Sequence, residues 1–164
     1  MSLRRIYTEG AEVLKKVSHP VTNFDRRLHI LLDDMRETLK HADGVGLAAP
    51  QVGILRRIVI VSDENQKILE LINPEIVSRE GEQTAFEGCL SVPGRYGMVK
   101  RPMTVQVNAY NRNGVLYTAT GTGITARAFC HEIDHLNGVL FTNYTDQLYT
   151  PDEVNKILGE DGKE

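Results

Sequence analysis

Val105-Gln-Val-Asn-Ala-Tyr-Asn-Arg-Asn-Gly-Val-Leu-Tyr-Thr-Ala119 is the stretch that decides the fold class. Its first six residues alternate with period two, the mark of a strand with one covered and one open face. Asn113-Gly114 supplies residues that tolerate a tight hairpin turn, and Val115–Ala119 returns as the partner strand. The pairing is antiparallel. Beyond it the period changes: residues 125 to 136 read as a helix, with Asn137-Gly138 as its stop. Upstream, Asn23 or Asp25 can cap a helix in which Phe24, Leu28, Leu31, Leu32, Met35 and Leu39 recur at spacings of three and four, ending near His41. A glycine-punctuated loop, Gly44 to Gly53, then leads to a β-branched strand over 57–61. A second strand region spans 69–77 with an interruption at Asn73-Pro74, and Pro151-Asp-Glu opens a short final helix. Strands in the middle with helices at either end predict an α+β fold, with antiparallel sheets packed around a central helix that carries the chemistry.

The chain has 164 residues, 41% hydrophobic and 25% charged, which suits one soluble domain able to bury its own core. Residues 1–150 are read as that domain and 151–164 as its short acidic tail. Net charge is −3, and the arginine doublets at 4–5, 26–27 and 56–57 are isolated, so no field for nucleic acid or anionic lipid is expected. No apolar stretch approaches the ~18 residues of a membrane span, and no signal-like block follows the first residues. A cytoplasmic monomer is expected. In that reducing setting Cys89 and Cys130 are read as thiols and not as a disulfide.

His131-Glu132-Ile133-Asp134-His135 falls in the predicted helix. Residues four apart share a helical face, so the two imidazoles can converge on one ion. Glu132 points to the flank, where a carboxylate can reach a water on that ion without ligating it. The competing reading is a pair of satisfied helix histidines with no ion. Two histidines leave a catalytic site one protein ligand short. The candidates for the third are Cys89, Cys130, a distant carboxylate and one of His19, His29 or His41. Cys130 lies about 100° around the helix from His131 and is read as a small buried hydrophobe. Cys89, in Glu87-Gly-Cys-Leu-Ser91 ahead of a turn expected at Val92-Pro93-Gly94, is the better ligand. The remaining histidines are read as surface residues, and Met98, Met103 and the tyrosines as core or rim.

Three motifs together, Gly44-Val-Gly-Leu-Ala-Ala-Pro-Gln51, Glu87-Gly-Cys-Leu-Ser91 and His131-Glu-Ile-Asp-His135, resemble in order and separation the signatures of the peptide deformylases. The resemblance covers nearly the whole chain. It implies a metallohydrolase that removes the formyl group from N-formylmethionyl peptides and nascent proteins, releasing formate. It also implies that Cys89, His131 and His135 hold one divalent ion, Fe²⁺ in cells, with Zn²⁺, Ni²⁺ or Co²⁺ as substitutes. Such an ion lowers the pKa of its water toward roughly 7, so that hydroxide can attack the formyl carbon at neutral pH. Glu132 is then the general acid and base, and the resemblance assigns oxyanion donation to the Gln51 side-chain amide and the Leu90 N–H.

The same resemblance places substrate at Val45, Gly46, Glu87, Gly88, Arg95, Ile124, Arg127 and Ala128. Gly46 is read as a point of close backbone approach by an extended peptide, Val45 and Leu47 as apolar pocket or core residues, and Arg127 as a stem that packs while its head reaches solvent. Arg95 reaches substrate only by a local shift. Glu87 is a candidate partner for His131, and Asp134 for Arg101, with a solvated surface charge as the alternative for both acids. Cys130 stands where the family often has glutamine. Some relatives use a longer C-terminal helix at the ribosome, but the tail here holds five acids and two lysines, which argues against docking on ribosomal RNA. Two rival classes remain: a His-Glu-x-x-His peptidase, disfavoured by a cysteine ligand, and a non-catalytic metal or thiol sensor, which would require neither Glu132 nor Gln51.

Overall fold

The computed structural model describes residues 1–161. The last part of the acidic tail, 162–164, lies outside the described residues. Helix α1 (Arg26–Ala42) starts at Asp25, whose carboxylate accepts the Leu28 N–H at 3.1 Å, and stops at Asp43, which turns left-handed at φ 55°. Seven strands follow: β1 (Gly46–Ala48), β2 (Ile58–Ser62), β3 (Ile68–Glu80), β4 (Gln83–Cys89), β5 (Val92–Arg101), β6 (Thr104–Tyr110) and β7 (Leu116–Thr122). Then come α2 (Ile124–Leu136), which carries the two motif histidines, and α3 (Pro151–Asp161). One antiparallel sheet has the order β1-β2-β3-β6-β7, and β4 and β5 form a separate hairpin. The α+β expectation holds.

Strand β2 explains why its sequence is an unbroken apolar run. Ile58 and Ile60 pack with Leu32, Met35 and Leu39 of α1, while Val59 and Val61 pack with Phe129 and Ile133 of α2. A strand covered on both faces has no polar side to alternate with. The sheet is thus held between α1 and α2.

Three local readings change. The glycine-rich segment contains an edge strand, β1, and the turn of 3₁₀ helix Ala49–Val52, where a plain loop was expected. Asn73-Pro74 interrupts pairing but not the strand: Asn73 adopts φ 51°, its amide exchanges two hydrogen bonds with the Val21 backbone, and the register shifts between Ile72 and Glu75. The turn of the second motif is Leu90-Ser91, closing Cys89 opposite Val92, so Val92-Pro93-Gly94 belongs to β5. The β4–β5 hairpin carried no clean hydrophobic alternation because β4 is only partly covered and the buried positions along the end of β5 are Gly97, Val99 and Arg101.

Glu70 of β3 ties the sheet to α1, accepting from Arg36 Nε at 2.7 Å and from Arg112 Nε and Nη2 at 2.9 and 2.7 Å. Burial alone would raise this carboxyl, but Arg112 and Arg36 outweigh it and hold the pKa below the ordinary value. A depressed folded pKa adds stability above the unfolded carboxylate pKa and loses it as pH falls through the folded value. Glu70→Gln is therefore expected to cost about 1–2 kcal/mol at neutral pH, the arginines being partly screened by water. Urea unfolding across pH checks this; a deficit that stays constant down through the acid range counts against the ion-pair account.

Candidate active site

Helical spacing stacks His131 and His135 one turn apart on α2, and the end of β4 delivers Cys89 to them. Their Nε2 atoms stand 3.2 Å apart, Cys89 Sγ lies 3.3 Å from His135 Nε2, and all three ligand atoms fall within 4.8 Å of one another. Ligands of a tetrahedral ion at about 2.1 Å (nitrogen) and 2.3 Å (sulfur) are separated by roughly 3.3–3.6 Å. The donor set fits a divalent ion. No other group of this kind occurs among the described residues. His19 and His41 are exposed, as expected, but His29 is half-buried and bonded through Nε2 to the Arg112 carbonyl at 2.8 Å. Both cysteines are free, and Cys130 packs in the core between α2 and the sheet, where burial pushes its thiol up.

Glu87 organises the next layer. Its Oε2 is 2.7 Å from His131 Nδ1, and Arg101 grips both oxygens while donating Nη1 to Asp134 at 2.8 Å. Burial would raise the Glu87 carboxyl, but hydrogen bonds from His131 and Arg101 prevail and hold it at about 2. Both acid pairings read from the sequence are present, and Glu87 is no solvated charge. Arg127 differs from expectation: its head is buried and donates Nη1 to Glu87 Oε1 at 2.7 Å. Phe141, a residue that no motif singled out, stacks on the His131 ring with centroids 6.2 Å apart.

Glu132 is buried beside these ligands, and burial raises its carboxyl to about 7. Its Oε1 has no hydrogen-bond partner. Gly46 faces it, and a Cβ there would sit 2.7 Å from Oε2, so the missing side chain makes room for the Glu132 carboxylate. Gln51 is fixed at both ends: Oε1 accepts the Ala48 N–H at 2.9 Å, while Nε2 donates to Ser91 Oγ at 3.0 Å and reaches Cys89 Sγ at 3.6 Å. The amide orientation follows from that network. The N-terminal segment braces the same pair, since Tyr7 N–H donates to the Gln51 carbonyl and Glu9 N–H to the Ser91 carbonyl, each at 2.7 Å. Sequence reasoning missed Ser91, although its place beside Cys89 in the motif was a usable signal.

A cavity of about 610 Å³ opens onto Glu132, Gln51, Cys89 and Leu90. All eight positions that the resemblance assigned to substrate border it, Glu87 and Arg127 included, with Ile124 71% exposed at the mouth. Val45 is a cavity residue and Leu47 a core one, which separates two positions the sequence left together. Met98 and Met103 are exposed and outside the lining.

The family model described as polypeptide deformylase matches residues 3–150. The chain belongs to the polypeptide deformylase family. It is 52% identical over 156 residues to a peptide deformylase of Acetivibrio thermocellus, covering 95% of this chain and 91% of that one. To peptide deformylase 1 of Bacillus subtilis it is 48% identical over 161 residues, covering 97% and 100% of the two chains. The crystal structure of the Thermotoga maritima peptide deformylase superposes with a TM-score of 0.86 at 40% identity, covering 90% of this chain and 100% of that one. As a deformylase, the chain is a hydrolase of formyl amides and depends on a metal.

Proposed function

We propose that this deformylase removes the formyl group from N-formylmethionyl peptides at a single divalent ion held by Cys89, His131 and His135. The observation that supports this most is the convergence of those three ligand atoms beside an unpartnered carboxylate oxygen of Glu132, at the floor of one cavity. When bound, the ion supplies a Lewis acid that acidifies water and polarises the formyl oxygen. Fe²⁺ is the ion proposed for the cell, with Zn²⁺, Ni²⁺ or Co²⁺ able to substitute.

The protein residues do the rest. Glu132 takes a proton from the attacking water and passes it to the departing amine, a role suited by a carboxyl raised to about 7. Gln51 Nε2 and the Leu90 N–H donate to the oxyanion, and both are held in place before substrate arrives, Gln51 by Ala48 and Ser91 and Leu90 by its turn between two paired strands. The peptide runs extended past Val45 and Gly46 on one side and Gly88 and Arg95 on the other, with Ile124 and Ala128 beside its first side chain. Backbone pairing of this sort reads little sequence beyond that first residue.

Formate release from formyl-Met-Ala by anaerobically prepared ferrous enzyme tests the reading, with an internal peptide as the competing substrate. Cleavage of the internal peptide alone would favour the peptidase class. Gln51→Ala is expected to lower kcat by roughly 10²–10³-fold while the metal stays bound, the usual loss for one oxyanion donor. Steady-state kinetics with metal analysis checks it, and an unchanged kcat would remove Gln51 from the oxyanion site.

Residues 1–150 are proposed as the catalytic domain and 151–164 as its acidic tail. No helix among the described residues is long and apolar enough to cross a membrane. We place the enzyme in the cytoplasm as a monomer near ribosomes, without a docking role for the tail and without direct nucleic-acid binding.

A further inference from the structure

Glu87 takes part in four hydrogen bonds with three residues, and every partner atom is placed to donate. Oε1 takes Arg101 Nε at 3.1 Å and Arg127 Nη1 at 2.7 Å, while Oε2 takes Arg101 Nη2 at 2.7 Å and His131 Nδ1 at 2.7 Å. A carboxylate offers about four lone-pair sites, and guanidinium groups only donate, so the acceptor capacity of Glu87 is filled. No site is left for a proton of its own. The His131 nitrogen facing it must then carry the hydrogen, so that in the neutral imidazole a metal requires, Nε2 is the lone pair turned toward Cys89 and His135.

We propose that Arg127, although it borders the cavity, is a positioning residue of the metal centre, acting through Glu87 on His131. Arg101 is the other half of the clamp, with its guanidinium carbon 4.8 Å from the centroid of the Tyr144 ring and its far nitrogen on Asp134. Arg127 adds the one bond that Arg101 cannot reach. Its head is buried, with Nη1 committed to Glu87 and Nη2 left without a hydrogen-bond partner. With that bond gone, Oε1 has an open acceptor site, Glu87 can rotate, and the His131 ring loses its fixed orientation.

The proposal rests on the metal reading above, and the test separates the two. Co²⁺ is titrated into metal-free wild type, Arg127→Met and Arg127→Lys, with binding read from thiolate-to-cobalt absorption and from competition with a chelator. KM for formyl-Met-Ala is measured on the same preparations. The expected result is a Co²⁺ affinity weakened by roughly 10–100-fold in Arg127→Met and partly restored in Arg127→Lys, with KM changed by less than about threefold. In a Glu87→Gln background, Arg127→Met should add little further loss, because the two residues act as one path. Unchanged cobalt affinity in Arg127→Met overturns the proposal, and a raised KM alongside it would return Arg127 to the pocket. Fully additive losses in the double variant overturn it as well. Should Arg127→Met prove poorly folded by circular dichroism, Arg127→Lys carries the comparison, with an intermediate loss expected and wild-type affinity as the contrary result. Wild type that takes up no cobalt would instead overturn the metal reading itself.

Discussion

Cys89→Ala will empty the metal centre and abolish formate release, whereas Cys130→Ala will keep both. The two thiols occupy different places. Cys89 ends β4 with its sulfur 3.3 Å from His135 Nε2, faced by the Ser91 N–H at 3.4 Å, while Cys130 sits on the sheet-facing side of α2 among Val, Ala and Phe side chains. Removing Cys89 leaves two imidazoles to hold an ion without the thiolate that supplies its negative charge. Loss of Lewis-acid assistance worth several kcal/mol corresponds to a rate deficit of roughly 10³-fold or more. Cys130→Ala trims a small buried side chain and costs about 1 kcal/mol of stability or a little more. Metal analysis and formate assays on both purified variants decide the matter; a Cys130 variant that loses its ion while Cys89→Ala keeps it would reverse the assignment.

Glu132→Gln is expected to keep the ion and lose turnover by roughly 10²–10⁴-fold, the range for removing a general acid and base. Glutamine matches the shape that fills the space left by Gly46, so the packing against β1 survives. What disappears is a group able to take and return a proton, in a position where burial has raised the carboxyl to about 7. KM should move little, because the acid-base step belongs to the transition state and not to ground-state binding. Full turnover with the ion still bound would show that Glu132 is not the proton carrier.

Much of this site was visible in linear order because it depends on local rules. The four-residue spacing of His131 and His135 becomes a shared face on any helix, and the Asn113-Gly114 hairpin and the α1 stripe follow from turn chemistry and period in the same way. The β4–β5 hairpin did not follow, since β4 is only partly covered, the alternating buried positions of β5 are Gly97, Val99 and Arg101, and the Leu90-Ser91 turn lacks the usual glycine or asparagine. Phe141 and the Tyr7–Glu9 brace escaped for a related reason: each acts on a residue at least 10 positions away, and nothing in its own neighbourhood announces the partner.

Arg127 marks the boundary between the two kinds of information. By itself the sequence determined the helix and the family, and it pointed to Cys89, His131, His135 and Glu132 as the candidate site. Only the tertiary structure decided which way the Arg127 head turns, that Glu87 lies buried with four donors, and that Gly46 is a glycine because Glu132 needs the space. Spacing along a helix is set by backbone geometry that every chain shares. The direction of a long charged side chain is set by which counter-charge the folded chain buries within its reach, and here that charge is 40 residues away on another element.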